Sequence, residues 1–237
     1  MNSSTKRVQP VFGWLVSILV PVVLVLSTVR LVLNPWFLEF EYHSPGFPAD
    51  SYGFSLEDRL YWSRFAVDYL INDASISYLA DLRFPEGQVT PAPSCLYMED
   101  CTKLYNDREL QHMIDVKNVV QAAMLVWLAA IMIALALALW VWRGGWWLEF
   151  RLAIARGGWL TTVLMIFILL LALLAFNFIF VLFHEIFFTQ GSWTFLYTDT
   201  LIRLFPERFW SDTFLMVGGI PSLVGIALGY LLRCKNK

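Results

Sequence analysis

The chain is short of charge. Only 15% of its 237 residues are Asp, Glu, Lys or Arg, against about 25% in soluble domains. Hydrophobic residues make up 58%, and the mean hydropathy is +0.60. That balance excludes an ordinary soluble domain and asks for a membrane. A net charge of −2 gives no reason to expect a nucleic-acid partner. Cysteine and histidine are scarce, at three each. No Cys-x-x-Cys or His-Glu-x-x-His pattern occurs, so no metal and no cofactor are expected. None of the cysteines has a catalytic context, and no internal repeat or low-complexity tract stands out.

What the chain does have is four apolar runs, at about 11–33, 119–142, 159–183 and 214–232, each near the roughly 20 residues that cross a hydrocarbon core. Each should be helical, because a lone strand cannot satisfy its backbone in lipid. The first run is too long for a signal-peptide core and lacks a small-residue cleavage pattern after it, so it reads as an uncleaved anchor. Aromatics are 16% of the chain, with 11 tryptophans, as interfacial belts require.

Orientation follows from the cations. Lys6, Arg7, Arg143, Arg151, Arg156, Arg233, Lys235 and Lys237 are eight of the 17 basic residues, and they fall in three short segments that four crossings put on one side. Of the 19 acids only Glu149 joins them. The positive-inside rule makes both termini cytoplasmic and puts 34–118 and 184–213 outside. The expected fold class is an all-α membrane protein of four transmembrane helices with an extracellular cap of short helices and loops. Its parts are 1–33 (N-terminus and first span), 34–118 (cap) and 119–237 (the other spans with the outer loop).

The cap segment carries 14 acids against six bases and most of the prolines. It is too aromatic for a disordered loop. Ser55-Leu56-Glu57-Asp58 reads as a capping box opening a helix to about Asn72. Cys95 and Cys101 lie on the oxidising side, where a disulfide and two independent thiols are both open. Cys234 is cytoplasmic and expected to be reduced. Arg30 is expected to snorkel toward headgroups, and the Gly225-x-x-x-Gly229 spacing suits a helix contact.

Two of the three histidines stand at span edges on the outer side. A helix starting near Asn106-Asp107-Arg108-Glu109 can run unbroken into the second span, since no Gly or Pro occurs from Asn106 to Trp142. His112 shares a face with Glu109 and Asp115 on it, and Asp115 could fix the imidazole's tautomer. Lys117 lies off that face, at the lipid phosphate level. His112 stands about 10 Å above Val119 at 1.5 Å per residue, and His184, directly after Phe183, stands at a comparable depth. The bland alternative for His112 is a histidine on a solvated helix start. Phe187, Phe188, Trp193, Phe195 and Tyr197 follow His184 as an interfacial belt that could also wall an acyl-chain pocket. Residues 199–207 suit a short amphipathic helix lying on the membrane.

The stretches Glu109-x-x-His112-Met113-x-Asp115-Val116-Lys117, Phe183-His184-x-x-Phe187-Phe188 and Asp199-Thr200-Leu201-Ile202-x-Leu204-Phe205-Pro206-Glu207 together resemble the lipoprotein intramolecular transacylase family, Lit. The resemblance implies a four-span protein of the bacterial cell membrane with an extracellular active face. It implies transfer of the sn-2 acyl chain of a diacylglyceryl lipoprotein to the α-amine of its own N-terminal cysteine, giving a lyso-form product. The implied catalytic residues are His112 and His184, with Asp115, Lys117, Asp199 and Pro206 at other motif positions and Glu109 as a supporting acid. The implied partners are a diacylated bacterial lipoprotein and membrane lipids, and a monomer is expected. Residues 34–106 carry no matched motif.

The residue types suit that reaction. An α-amine of pKa about 7.7–8.0 can be deprotonated by imidazole near neutrality, and a second imidazole can stabilise the oxyanion or return the proton. His112 held by Asp115 as the base, with His184 as the other group, is one assignment; the reverse is also open. A lipid hydrolase using His112, His184 and Asp115 or Glu185, and a non-catalytic lipid- or partner-binding protein, are the competing classes.

Overall fold

The computed structural model describes residues 3–189 and 191–233, with side chains from Val11 onward. The side chains of Lys6 and Arg7, and all of Cys234, Lys235 and Lys237, lie outside the described residues. Among these the structure is all-helical: α1 (Ser3–Val32), α2 (Pro35–Tyr42), α3 (Leu56–Ile71), α4 (Ser77–Ala80), α5 (Ala92–Cys95), α6 (Asp107–Gly144), α7 (Trp147–Phe187), α8 (Thr200–Leu204) and α9 (Glu207–Leu231). One isolated bridge, Arg83 to Lys103, is the nearest approach to a strand. The four predicted spans fall on α1, α6, α7 and α9, which are long and apolar enough to cross a membrane. This is a multi-pass membrane protein.

The chain divides into two compact units. The first comprises the described residues of Met1–Arg30, Ala123–Leu174 and Phe214–Lys237. Its outward faces carry exposed Leu125, Leu135, Val163, Phe167 and Leu174, a surface that suits lipid and not water. Inside, the helices meet where side chains are absent. A Cβ on Gly158 would stand 2.5 Å from the Gly225 carbonyl oxygen, and one on Gly225 would stand 2.5 Å from that of Gly158. The Gly225-x-x-x-Gly229 face therefore packs against α7 of the same chain, so no second copy is needed to explain it. Ser17 Oγ donates to the Ala153 carbonyl (2.9 Å) and Thr162 Oγ1 to that of Ser222 (3.1 Å), tying α7 to α1 and α9.

The predicted basic segment between the second and third spans is mostly helix. Gly145, with φ of 74°, turns the chain within two residues, so that Arg143 ends α6 while Arg151 and Arg156 lie in the first turns of α7. A positive φ there suits glycine. Arg151 Nη2 donates to the Leu232 carbonyl at 3.1 Å.

The second unit is Leu31–Ala122 with Ala175–Thr213. Asn34 caps α2: its side chain accepts from Trp36 N at 3.3 Å, and Pro35 occupies N1, where a missing N–H costs nothing. Ser55 and Asp58 form the predicted reciprocal capping box of α3. A core of Phe37, Trp62, Leu79, Leu104, Tyr105 and Leu204 is almost wholly buried. Cys95 and Cys101 are joined by a disulfide, with Cα atoms 5.2 Å apart. The predicted surface helix at 199–207 is corrected. It is the single turn α8, with Leu201, Arg203 and Leu204 buried, because Arg203 is drawn inward to a buried ion pair with Asp50 (3.0 Å) and packs over the Phe54 ring.

Candidate functional site

The start of α6 sets the site. Asn106 Oδ1 accepts from Glu109 N (3.0 Å), and Glu109 Oε2 accepts from Asn106 N (2.9 Å), the reciprocal pattern of a capping box. The second Glu109 oxygen accepts from Leu201 N at 2.7 Å, so one carboxylate secures both the start of α6 and the start of α8. Asp199 completes the join. Its Oδ1 accepts from Asn106 Nδ2 (3.0 Å), and its Oδ2 from Arg108 Nη2 (2.9 Å) and Leu196 N (2.8 Å). Both acids are fully buried, and each finds hydrogen-bond donors there, as burial of a polar group demands. Glu109 and Asp199 thus anchor the 196–201 segment to α6, and none of these bonds goes to an imidazole.

One turn along α6, His112 meets His184. Their rings lie 6.0 Å apart, centroid to centroid, and 19° from parallel, and each residue is only 8% exposed. The two elements arrive separately. His112 is carried by the capped start of α6; His184 is carried by the last turns of α7, beyond a break at Ala175, whose φ of −151° and ψ of 55° are not helical. Aromatic rings surround the pair. Phe188 and Phe195 present edges to His112 at 5.0 and 5.3 Å. Phe180 and Trp193 lie on His184 at 4.1 and 5.0 Å.

The two imidazoles differ in their bonding. His184 Nδ1 lies 2.7 Å from the Phe180 carbonyl oxygen. A carbonyl only accepts, so Nδ1 carries the proton and, in the neutral ring, Nε2 carries the lone pair. Among the described residues His112 Nδ1 is buried without a partner, and no hydrogen bond from them restrains the ring's tautomer.

Asp115 is not the orienting group foreseen for His112. It is half-buried and accepts from Gln111 Nε2 at 3.2 Å, an i, i+4 pair on the helix surface. Lys117 is likewise corrected. It is buried, with Nζ 2.6 Å from the Ala74 carbonyl oxygen and 3.4 Å from Asn72 Oδ1, and over the Tyr69 ring at 4.1 Å. The Ala74 carbonyl and the Asn72 side-chain oxygen, just past the end of α3, draw the ammonium inward, away from any lipid phosphate.

Both histidines line a cavity of about 150 Å³, otherwise walled mostly by apolar groups such as Leu70, Phe205 and Phe209. The sequence marks Trp193 only as part of an aromatic belt able to wall a pocket, and it gives no role to Arg108 or to the Phe180 carbonyl. A cap-like start at Asn106 was the one local signal available for the anchor. Among the described residues, no three His, Cys, Asp or Glu side chains group as metal donors. The site offers two imidazoles, apolar walls and a rigid frame, which suits proton transfer on a lipid-like substrate.

Comparison with known proteins gives a consistent picture. The family model described as lipoprotein intramolecular transacylase Lit matches residues 14–210. An uncharacterized protein of Aquifex aeolicus (strain VF5) is 27% identical over 204 residues, covering 83% of this chain and 82% of its own. In meso structures of the membrane integral lipoprotein intramolecular transacylase Lit from Bacillus cereus share the fold. One, carrying a histidine-to-arginine mutation, has a TM-score of 0.69 at 19% identity, covering 97% of this chain and 92% of that one. Another has a TM-score of 0.61 at 21% identity, covering 97% and 98%.

Proposed function

Because the chain belongs to the lipoprotein intramolecular transacylase family, Lit, we propose that it moves the sn-2 acyl chain of a diacylglyceryl lipoprotein to the α-amine of that lipoprotein's own N-terminal cysteine. The observation that carries this reading is the pair of imidazoles 6.0 Å apart at one apolar cavity. No protein nucleophile is needed, since the substrate's amine attacks.

His184 is the base in this reading. Its Nε2 lone pair is free and its Nδ1 proton is held by the Phe180 carbonyl, which also stabilises the imidazolium that forms. The amine nitrogen bonds to the ester carbonyl carbon, and the C=O π pair moves onto oxygen. The amine's proton passes to His184 Nε2. Collapse re-forms the C=O bond and breaks the bond to the glyceryl oxygen, which takes the proton back from His184. An ester becomes an amide, a free sn-2 hydroxyl remains, and no water is consumed. His112 supplies polar stabilisation to the oxyanion across the cavity. Holding amine and ester in one apolar cavity replaces a bimolecular encounter by a near-attack geometry, worth up to roughly 7–11 kcal/mol in the best cases. Glu109 and Asp199 are positioning residues.

The substrate's acylated cysteine lies at the outer surface of a bacterial cell membrane, so the reading also sets the cavity on the extracellular side, with both termini cytoplasmic and the chain acting as a monomer. The excess of basic residues in the opposite segments supports it.

The test is mass spectrometry of lipoprotein N-termini from cells with and without the gene. N-acyl-S-monoacyl-glyceryl cysteine should appear with the wild-type gene and fall at least 100-fold with His112→Ala or His184→Ala. Undiminished product in both variants would overturn the proposal, and release of free fatty acid in place of the amide would mark a hydrolase.

A further inference from the structure

Arg108 lies four residues before His112, one turn toward the capped start of α6 and on the same face. Its Nη2 donates to Asp199 Oδ2 at 2.9 Å as part of the anchor. That bond uses only part of the guanidinium, which presents five N–H donors in a fixed fork. Nε is shut off from solvent, yet the side chain is 38% exposed where that of Asp199 is 0%. Among the described residues Nη1 is neither bonded nor enclosed. The guanidinium stands over the Phe195 ring at 5.7 Å. Phe195 lines the cavity and presents its edge to His112 at 5.3 Å. An open, charged donor thus stands one ring away from the imidazole, at the edge of the cavity. Among the described residues the cavity lining itself holds no Lys, Arg, Asp or Glu.

We propose that Arg108 is a substrate-binding residue whose Nη1 donates to the carbonyl oxygen of the lipoprotein's first peptide bond, the bond that follows the acylated cysteine. This rests on the transacylase reading and extends it from the lipid chains to the peptide. Two arguments select that acceptor. The first is distance. In an N-terminal cysteine the carbonyl oxygen lies roughly 3 Å from the α-nitrogen, so an amine held at the imidazoles brings this oxygen to the edge of the cavity. The acyl chains belong against the apolar walls, and the peptide must leave on the side that water reaches, where Arg108 is exposed. The second is charge. Asp199 already balances the guanidinium, so a neutral carbonyl suits the pair better than a lipid phosphate, which would add negative charge beside Asp199. A hydrogen bond from a charged donor to a neutral acceptor is still among the stronger ones. With Asp199 on one side of the fork and Phe195 beneath it, the donor is held before substrate arrives, which fixes the cysteine with its amine toward the imidazoles. No proton leaves Arg108, so the balance of the reaction is unchanged.

The experiment uses the full chain purified in lipid or detergent and compares two substrates. One is a diacylated lipopeptide. The other is S-diacylglyceryl cysteamine, which keeps the amine, the thioether and the sn-2 ester but has no carbonyl beside the amine. In the wild-type chain, loss of that carbonyl should lower kcat/KM about 5- to 20-fold, chiefly through KM. In Arg108→Gln or Arg108→Met, whichever folds, the two substrates should differ by less than about twofold, because the donor that tells them apart is gone. Loss of the Asp199 pair, and any loosening of the anchor, falls on both substrates alike and cancels in the ratio. The different basicity of the cysteamine amine cancels in the same way. A wild-type ratio retained in the folded variant would remove Arg108 from substrate binding. So would a wild-type chain that does not distinguish the two substrates, a result that needs no variant. If the wild-type chain acylates neither amine, the transacylase reading fails, an outcome distinct from either of these.

Discussion

A neutral imidazole has one donor and one acceptor, and the Phe180 carbonyl takes the donor of His184. That contact lies within one helical turn, yet nothing in the pattern Phe-His-x-x-Phe-Phe announces it. The histidine pair itself was legible, because polar rings at two span edges at similar depth are conspicuous. Asp115 was misjudged for a local reason: i, i+3 spacing permits contact with His112, but Gln111 at i−4 offers the carboxylate a donor at the helix surface. Lys117 was misjudged for a distant one, since Asn72 and Ala74 approach it only through folding. A further acid illustrates what burial does. Glu41 is almost fully enclosed, and burial, with the neighbouring Asp212 adding by hydrogen bond and by charge, pushes its carboxyl up from 4.5 to about 7. Between those values the folded chain holds a proton that the unfolded chain has released, so stability is fully present below about pH 4.5 and falls as pH rises toward 7. Thermal unfolding at pH 5 and pH 8 should show this as a lower midpoint at pH 8, and Glu41→Gln should remove at least roughly 3 °C of that difference. Equal pH responses in the two proteins would show that Glu41 ionises freely.

The join between α6 and α8 depends on two acids that serve both helices at once. Capping boxes were legible at both Ser55 and Asn106 because a cap is written in four consecutive residues. The use of Glu109's second oxygen by Leu201 N was not, since its donor is 92 residues away. α8 shows the same limit: its alternation of polar and apolar residues fits a membrane-surface helix, and only the Asp50–Arg203 pair, 153 residues apart, explains why it is buried. The break at Ala175 has no Pro or Gly beside it and left no mark in the sequence. These differences set up a comparison. Ser55→Ala removes an exposed cap far in sequence from the cavity, costing about 1 kcal/mol and leaving turnover unchanged. Asp199→Ala leaves the Leu196 N–H and Asn106 Nδ2 without acceptors inside the protein and Arg108 without its partner. It should cost about 3 kcal/mol and lower lipopeptide turnover at least tenfold, because Trp193 and Phe195 are then no longer held against the imidazoles. Denaturation and turnover measured side by side decide it. Full turnover in a destabilised Asp199→Ala would separate the anchor from the chemistry.

Four spans and their even number were legible from apolar length alone, because lipid imposes that length on any crossing helix. The proposed side of each end rests on charge. Arg143 closes α6, Arg151 and Arg156 open α7, and Arg233 follows α9, while the Arg151–Leu232 bond brings the start of α7 to the end of α9. These arginines therefore share one end of the helices, the end that the positive-inside rule assigns to the cytoplasm. The segments 34–118 and 184–213 hold the histidines, all but one of the acids and the disulfide. A disulfide persists on the oxidising side of a membrane and is rare in a reducing cytosol, so charge and cysteine chemistry are independent arguments for the same orientation. The Cys95–Cys101 loop also makes it measurable, because Leu96 is 83% and Tyr97 73% exposed between the two sulfurs, which leaves the loop open to reagents. In a Cys234→Ser background, intact cells treated with a membrane-impermeant maleimide should show no labelling of this chain. Prior treatment with an impermeant reductant should open the disulfide and allow labelling of Cys95 and Cys101. Labelling confined to inverted vesicles would reverse the orientation, and with it the access of this cavity to any lipoprotein displayed on the outer face.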